Sequence, residues 1–474
     1  MMTDYVLRFI QFVLCALVVL GFAGCSTLEG RPPNIIVIFA DDLGYGDLGI
    51  YGHPTIQTPR LDRMAQEGLK FTQFYSAASV CTPSRAGLLT GRLPIRSGMA
   101  SDRRRVLFPD SRRGLPPEEW TMAEALREAG YATAAIGKWH LGHTPEYTAR
   151  EHGFDYFFGL KYSNDMDRVP SRPAREQFTD PISEYWDLEL LRNEEVIEQP
   201  AEQTTLMQRY TDEAIAFMQA HREQPFFVYL AHSMVHVPLF RSEAFEGVSR
   251  RGMYGDVVEE MDATVGRLLD AVSNEGLAEH TLVVFTSDNG PWLVYGDHGG
   301  SSGLLRGGKG MTWEGGMRVP AVAWWPGTIK PGSVSPVVTS TMDLLPTALD
   351  YTKQVVPDSI MLDGASLRSV FEGRALAEIR EEYFYYRGAT LFAARQGPWK
   401  AHFITEWAYK ADSARTAHDP PLLYNLDTDP EERFNVAKDH PEIVRKIMER
   451  VAHHTASLNP RPTQLEERIP ENEM

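Results

Sequence analysis

The chain has 474 residues, 43% hydrophobic and 23% charged, with Gly and Pro at ordinary levels. That is the composition of a soluble globular protein large enough for two or more structural units. A net charge of −17 argues against nucleic acid as a partner, and against other polyanions wherever no local basic patch overrides it.

Phe9 to Ala23 is apolar apart from Gln11. It is short for a membrane span and ends in small residues, which reads as an export signal. Phe22-Ala23-Gly24-Cys25 resembles the bacterial lipobox, whose Cys becomes a lipid-bearing N-terminus. The expectation is an exported protein of the bacterial periplasm or cell surface, anchored to the membrane at Cys25, with residues 1–25 as signal and 26–33 as linker. Beyond Cys25 only Cys81 remains, so the mature domain has no internal disulfide. A lone Cys of this kind is either an inert buried thiol or chemically special.

Asn34-Ile-Ile-Val-Ile-Phe-Ala40 reads as a buried strand, followed by Asp41 and Asp42. Ser84 to Thr90 reads as a short helix closed by Gly91, with Cys81 near its N-terminus, where free amides favour an anion. Arg85, one turn further in, can reach back. Arg96, Arg103, Arg104, Arg105, Arg112 and Arg113 then crowd one segment. They form either a solvated loop balanced by nearby acids or a docking strip for a polyanionic glycan. Thr121 to Ala129 has apolar residues at helical spacing and a C-cap at Gly130. Ala132 to Ile136 is a strand that leads to Gly137, Lys138, Trp139 and His140. Phe226 to Leu230 is another, followed by His232 and His236. Asp256 to Ser273 reads as a helix. Thr281 to Thr286 is a strand ending at Ser287, Asp288 and Asn289, and Val319 to Trp324 is a further strand.

This alternation implies a mainly parallel α/β sheet with helices on both faces over residues 34–375. From 376 to 462 the pattern becomes aromatic and β-rich (Glu382 to Arg387, Thr390 to Arg395, Trp399 to Ile404). That predicts a small antiparallel sheet closed by a helix from Ile443 to Ala456. Residues 463–474 are polar and read as a loose tail.

In open α/β sheets, ligands gather at the carboxyl ends of the strands. Four predicted strands deliver acids, an amide, histidines and a lysine there. Asp41, Asp42, Asp288 and Asn289 offer only oxygen donors, which suit a hard divalent cation. Lys138, His140, His236 and Lys309 suit an anion beside it.

Cys81-Thr-Pro-Ser-Arg85 followed by Leu89-Thr-Gly-Arg92 resembles the signature of type I sulfatases, in which a maturation enzyme oxidises the Cys to Cα-formylglycine. Asp41-Asp-Leu-Gly-Tyr-Gly-Asp47, Gly137-Lys-Trp-His-Leu-Gly142, Ser287-Asp-Asn-Gly290, Gly308-Lys-Gly310 and Glu314-Gly-Gly316 are similar to the same family in the same order. The likeness is nearest to arylsulfatase A and N-acetylgalactosamine-6-sulfatase. It extends through Met261-Asp-Ala-Thr-Val-Gly266 to Lys400-Ala-His-Phe403 and Pro420-Pro-Leu-Leu-Tyr-Asn425.

The resemblance implies an alkaline-phosphatase-like fold and hydrolysis of sulfate monoesters, of a sulfated carbohydrate with aryl sulfates as surrogates. It implies Ca2+, with Mg2+ second, at Asp41, Asp42, Cys81, Asp288 and Asn289. A hydrated formylglycine at Cys81 attacks sulfur, helped by Asp288, and is remade when sulfate is expelled. Arg85 and His140 orient it, Lys138 and Lys309 neutralise the sulfate oxygens, His236 protonates the leaving oxygen, and Ser163 adds a polar contact. Two other readings share these residues. One is a phosphate or phosphonate monoester hydrolase of the same superfamily. The other is an unmatured lipoprotein that binds sulfated glycans.

Overall fold

Asn34–Ala40 is apolar on both faces because it lies at the centre of a sheet covered on both sides, and all seven residues are buried. The structure is a computed structural model that describes residues 30–374, 379–410, 413–470 and 472. Its large sheet has eleven strands: β1 (Asn34–Ala40), β2 (Leu69–Tyr75), β3 (Ala132–Lys138), β4 (Tyr156–Leu160), β5 (Leu190–Arg192), β6 (Glu195–Glu198), β7 (Phe226–Ala231), β8 (Thr281–Ser287), β9 (Arg318–Trp324), β10 (Ser333–Ser335) and β11 (Thr339–Ser340). Their spatial order is β10-β2-β9-β8-β1-β7-β3-β4-β5-β6, with β11 beside β2. From β8 to β4 the strands are parallel, whereas β9 runs against both β8 and β2. The sheet is therefore mixed and mainly parallel.

Among the described residues the α-helices of seven residues or more are α1 (Pro59–Glu67), α2 (Cys81–Thr90), α3 (Met122–Glu128), α4 (Leu206–Ala220), α5 (Met253–Asn274), α6 (Leu344–Thr352) and α7 (Pro441–Ser457). Alternation along β1 sends Ile36 and Ile38 into a core with Met64 of α1, Tyr210 of α4 and Met261 of α5. Ile35, Val37 and Phe39 enter the opposite core with Leu88 of α2, Leu126 of α3 and Leu345 of α6. A capping box starts α3. Thr121 Oγ1 accepts from Glu124 N (3.1 Å), and Glu124 Oε2 accepts from Thr121 N (2.7 Å).

The second sheet is antiparallel: β12 (Glu382–Arg387), β13 (Thr390–Gln396), β14 (Trp399–Thr405) and β15 (Thr416–Asn425), in that order. The sequence reading missed β15, because Pro420 and Pro421 argue against a strand. Both are tolerated there because β15 is an edge. Val444 and Ile447 of α7 pack on Ala401 and Leu423 of this sheet.

A buried ionic network fastens this sheet to the segment that feeds β9. Lys400 Nζ donates to Glu314 Oε1 at 2.9 Å and lies 3.1 Å from Glu432 Oε1, and all three side chains are fully buried. Tyr75 and Tyr385 donate to Glu314 at 2.6 and 3.1 Å, and His402 Nε2 bonds Glu432 at 2.6 Å.

Two expectations meet the structure here. The helix expected at Ser84–Thr90 begins at Cys81 itself. The loose tail expected over 463–474 is corrected for residues 463–470. Leu465, the apolar residue of a polar run, is fully buried in the second core, Gln464 N donates to Gly98 O (2.9 Å), and Ile469 N donates to Asp110 O (2.8 Å). The export signal and Cys25 lie outside the described residues. Among the described residues no helix is long and apolar enough to cross a membrane.

Burial alone would raise the Glu314 carboxyl, but Lys400, Arg318 and Arg395 together hold it at about 2, below its ordinary 4.5. A depressed carboxyl stabilises the fold above pH ~4.5, and that contribution fades as the pH falls toward 2. Lys400→Met strands two buried carboxylates. It is expected to cost about 3–5 kcal/mol at neutral pH, read from denaturant midpoints, and to move acid unfolding to higher pH. An acid midpoint that stays put would show that this network does not set acid stability.

Candidate active site

The four strands β8, β1, β7 and β3 are consecutive neighbours, so their carboxyl ends open onto one place. Register puts Ala40 beside Ser287, Phe39 beside Ala231, and Ala231 beside Gly137. The residues that follow, Asp288 and Asn289, Asp41 and Asp42, His236, and Lys138 with His140, converge as the sequence order suggests. Asp42 (φ 61°) and His140 (φ 58°) hold left-handed backbone conformations. Such strain in non-glycine residues persists where surrounding structure enforces it, often at functional sites.

Three carboxylates and three cations meet there, none more than 4% exposed. Lys138 Nζ donates to Asp41 Oδ2 and, at 3.1 Å, to Ser163 Oγ. Lys309 Nζ donates to Asp42 Oδ2 at 2.8 Å. Arg85 reaches back from α2: Nη2 donates to Asp288 Oδ2 at 2.9 Å and lies 3.5 Å from Asp41 Oδ2, while Nη1 donates to the Lys138 carbonyl at 2.9 Å. Asp288 Oδ1 accepts from Asp42 N at 3.1 Å, and Asn289 Nδ2 donates to Asp42 Oδ1 at 2.6 Å.

Electrostatics follow from this packing. Burial would raise Asp41, but Lys138, His236, Arg85 and Lys309 outweigh it and hold the carboxyl below the usual carboxylate range. Burial dominates at Asp42, which is raised. Burial and then the Asp41 charge push Asp288 up to about 7. Burial and the Lys309 cation hold His236 neutral, and burial with Lys138 does the same to His140. Carbonyls only accept hydrogen bonds, which fixes both tautomers. His236 Nδ1 donates to Val237 O, leaving Nε2 bare 3.7 Å from Asp42 Oδ2. His140 Nε2 donates to Leu107 O at 2.9 Å, leaving Nδ1 without a partner.

Cys81 opens α2 and is the free cysteine among the described residues. Burial pushes its thiol up to about 12, so at neutral pH it is not a thiolate nucleophile. Donor atoms of Asp41, Asp42, Cys81 and His236 lie within 4.8 Å of one another. Asp41 Oδ1 and Asn289 Oδ1 are buried and accept no hydrogen bond. Two orphaned oxygens among clustered acids are what a hard cation would satisfy, and its charge would favour ionised Asp42 and Asp288. The donor set therefore fits a divalent cation.

Glycines of the matched motifs serve close backbone approach. A Cβ at Gly290 would sit 1.8 Å from Gly315 O, and one at Gly316 would sit 2.1 Å from Met311 O. Lys309 is held by its own backbone, with Lys309 N donating to Pro291 O (2.9 Å) and Gly310 N to Ser79 O (2.7 Å).

A cavity of about 720 Å³ opens over these groups, lined by Cys81, His140, Ser163, His236 and Lys309. The other candidate site residues, Asp41, Asp42, Arg85, Lys138, Asp288 and Asn289, are joined to this lining by the hydrogen bonds given above. His232 does not join them; it is buried against Tyr210, with both ring nitrogens unpaired. Asp165 lines the cavity as well, and so do two residues that the sequence reading did not name, Trp292 and Tyr409. Tyr409 follows β14 of the second sheet, more than 300 residues along the chain from Cys81, and no motif marks it. Of the arginine segment, Arg103, Arg104 and Arg105 reach the cavity.

The family model described as Sulfatase matches residues 33–355, and that described as the C-terminal region of aryl-sulfatase matches residues 378–473. Arylsulfatase A of Bos taurus is 44% identical over 450 residues, covering 89% of this chain and 86% of its own. N-acetylgalactosamine-6-sulfatase of Homo sapiens is 39% identical over 469 residues, covering 92% of this chain and 88% of its own. Among solved structures, the PsFucS1 sulfatase from Pseudoalteromonas sp. superposes with a TM-score of 0.80 at 28% identity, covering 90% of this chain and 91% of its own. The chain thus belongs to the sulfatase family and is a sulfuric ester hydrolase.

Proposed function

We propose that the chain removes sulfate from a sulfated carbohydrate, with Cys81 converted to Cα-formylglycine by a maturation enzyme and Ca2+ held by Asp41, Asp42, Asp288 and Asn289. The observation that carries this reading is that Cys81, at the start of α2, lies beside three carboxylates, three cations and two orphaned acceptor oxygens in one buried cluster. The Cys81-Thr-Pro-Ser-Arg85 motif at the start of α2 favours a formylglycine there. The similarity to an N-acetylgalactosamine-6-sulfatase favours a carbohydrate ester.

The aldehyde supplies an oxygen nucleophile that is remade in every cycle. The cation supplies positive charge beside the carboxylates and the sulfate oxygens. The chain's own residues do the rest. Lys138 and Lys309 bind the sulfate group, exchanging carboxylate partners for its oxygens. Arg85, pinned by Lys138 O and Asp288, keeps Asp288 aimed at residue 81. His140, tied to Leu107 O, presents Nδ1 to the nucleophile. Ser163 steadies Lys138. His236 holds the proton for the leaving oxygen at Nε2. It takes that proton up as the sulfate anion binds, because the added negative charge opposes the burial and the Lys309 field that keep the imidazole neutral. Export to the periplasm or cell surface through a lipid anchor at Cys25 belongs to the same proposal.

The deciding experiment is sulfate release from sulfated mono- and oligosaccharides and from an aryl sulfate. It uses protein co-expressed with a maturation enzyme and a Cys81→Ala control, with mass spectrometry of the peptide bearing residue 81. Release with an aldehyde present, abolished in the control, is the expected outcome. No release despite a verified aldehyde would overturn the reading. His236→Gln is expected to lower kcat by about 10²–10⁴-fold for a sugar sulfate and by much less for para-nitrophenyl sulfate, whose leaving oxygen needs no proton. Equal losses on both would remove His236 as the acid. Calcium is expected to raise the unfolding temperature of the wild type but not of Asp42→Ala; an equal rise in both would place the ion elsewhere.

A further inference from the structure

The arginine-rich segment resolves into two kinds of residue. Arg96 binds Asp363 at 2.9 Å, Arg104 binds Asp110, and Arg113 binds Glu467. Arg103 and Arg112 lie 3.9 and 3.8 Å from Glu466 and Glu467. The docked tail therefore supplies the acids for Arg103, Arg112 and Arg113, and all five behave as charges balanced by nearby acids. Arg105 differs. Among the described residues it makes no ion pair, and its Nη1 is buried with no hydrogen-bond acceptor. Asp165 lines the same cavity but lies beyond ion-pair distance of it.

Arg105 is also held in place. Its guanidinium lies over the Tyr409 ring, 4.6 Å from the centroid. Tyr409 packs against Trp292 at 5.1 Å, and Trp292 against His236 at 5.2 Å. Gly310 is also close, since a Cβ there would come within 2.9 Å of Nη1 and 3.0 Å of the Tyr409 ring. Gly310 adjoins Lys309, so this arginine stands beside the lysine proposed to bind sulfate. A buried cationic N–H without an acceptor is unfavourable unless a ligand brings one. A guanidinium stacked on an aromatic ring keeps its fork free for a carboxylate or sulfate. The cavity, at about 720 Å³, has room for much more than a sulfate group.

We propose that Arg105, braced by Tyr409, forms a second anion subsite in the active-site cavity, so that the preferred substrate carries another anionic group, carboxylate or sulfate, near the sulfate ester it loses. This rests on the sulfatase reading above and names the substrate class within it: a multiply charged sugar rather than a singly sulfated one.

The test is competition against para-nitrophenyl sulfate hydrolysis by the matured, full-length enzyme. Three competitors are used: N-acetylgalactosamine with one sulfate, the same sugar with two sulfates, and the singly sulfated sugar linked to glucuronate. In the wild type, one or both doubly charged sugars are expected to compete at least about 10-fold more tightly than the singly charged one. Which of them does so separates sulfate from carboxylate as the second anion. That advantage should fall below about threefold in Arg105→Gln, persist in part in Arg105→Lys, and survive in Arg113→Gln, whose charge is spent on Glu467. An advantage retained in Arg105→Gln, or no advantage in the wild type, overturns the subsite. Failure of the matured wild type to release sulfate from the aryl sulfate and from all three sugars overturns the underlying reading instead, and calorimetric binding of the same three sugars still tests the subsite without turnover.

Discussion

Six ionisable groups in one buried cluster constrain the structure around it. Asp41, Asp42, Asp288, Lys138, Lys309 and Arg85 are all buried. Charges removed from water are tolerable only when each finds a partner in good geometry. The carboxyl ends of four parallel strands, the first turn of α2 and the loop that carries Lys309 must therefore hold their relative positions closely. The three acids and three cations balance one another in number, and a divalent cation together with a sulfate monoester adds a single net positive charge.

The second sheet has two roles in this arrangement. It locks the segment between Lys309 and β9 through Glu314, Lys400 and Glu432. It also sends Tyr409 into the cavity wall, where that ring supports Arg105. The tail adds a third long-range contribution. By lying along residues 98–112 it supplies the acids that pair with Arg103, Arg112 and Arg113. Selectivity among anions can then depend on which guanidinium is left unclaimed, rather than on total positive charge in the segment.

Much of the site was legible in advance because its residues follow buried strands directly. Periodicity located β1, β3, β7, β8 and β9, and strand ends in a parallel sheet share an edge, so Asp41, Lys138, His236 and Asp288 could be grouped without coordinates. The short strands β5, β6, β10 and β11 carry too few residues to show a period. β15 is hidden by its two prolines. The tail misled because its many polar residues outweigh Leu465, the one side chain that buries it.

By itself the sequence determined the alternation of strands and helices, the oxygen-only donor set and the Cys81 motif, since these depend on residues adjacent in the chain. Only the tertiary structure decided which of six arginines remains without an acid, that Tyr409 and Trp292 wall the cavity, and that Cys81 is buried enough to hold its proton. Those properties depend on what lies across space from each side chain. Ion pairing and desolvation act over a few ångströms, whatever the separation along the chain.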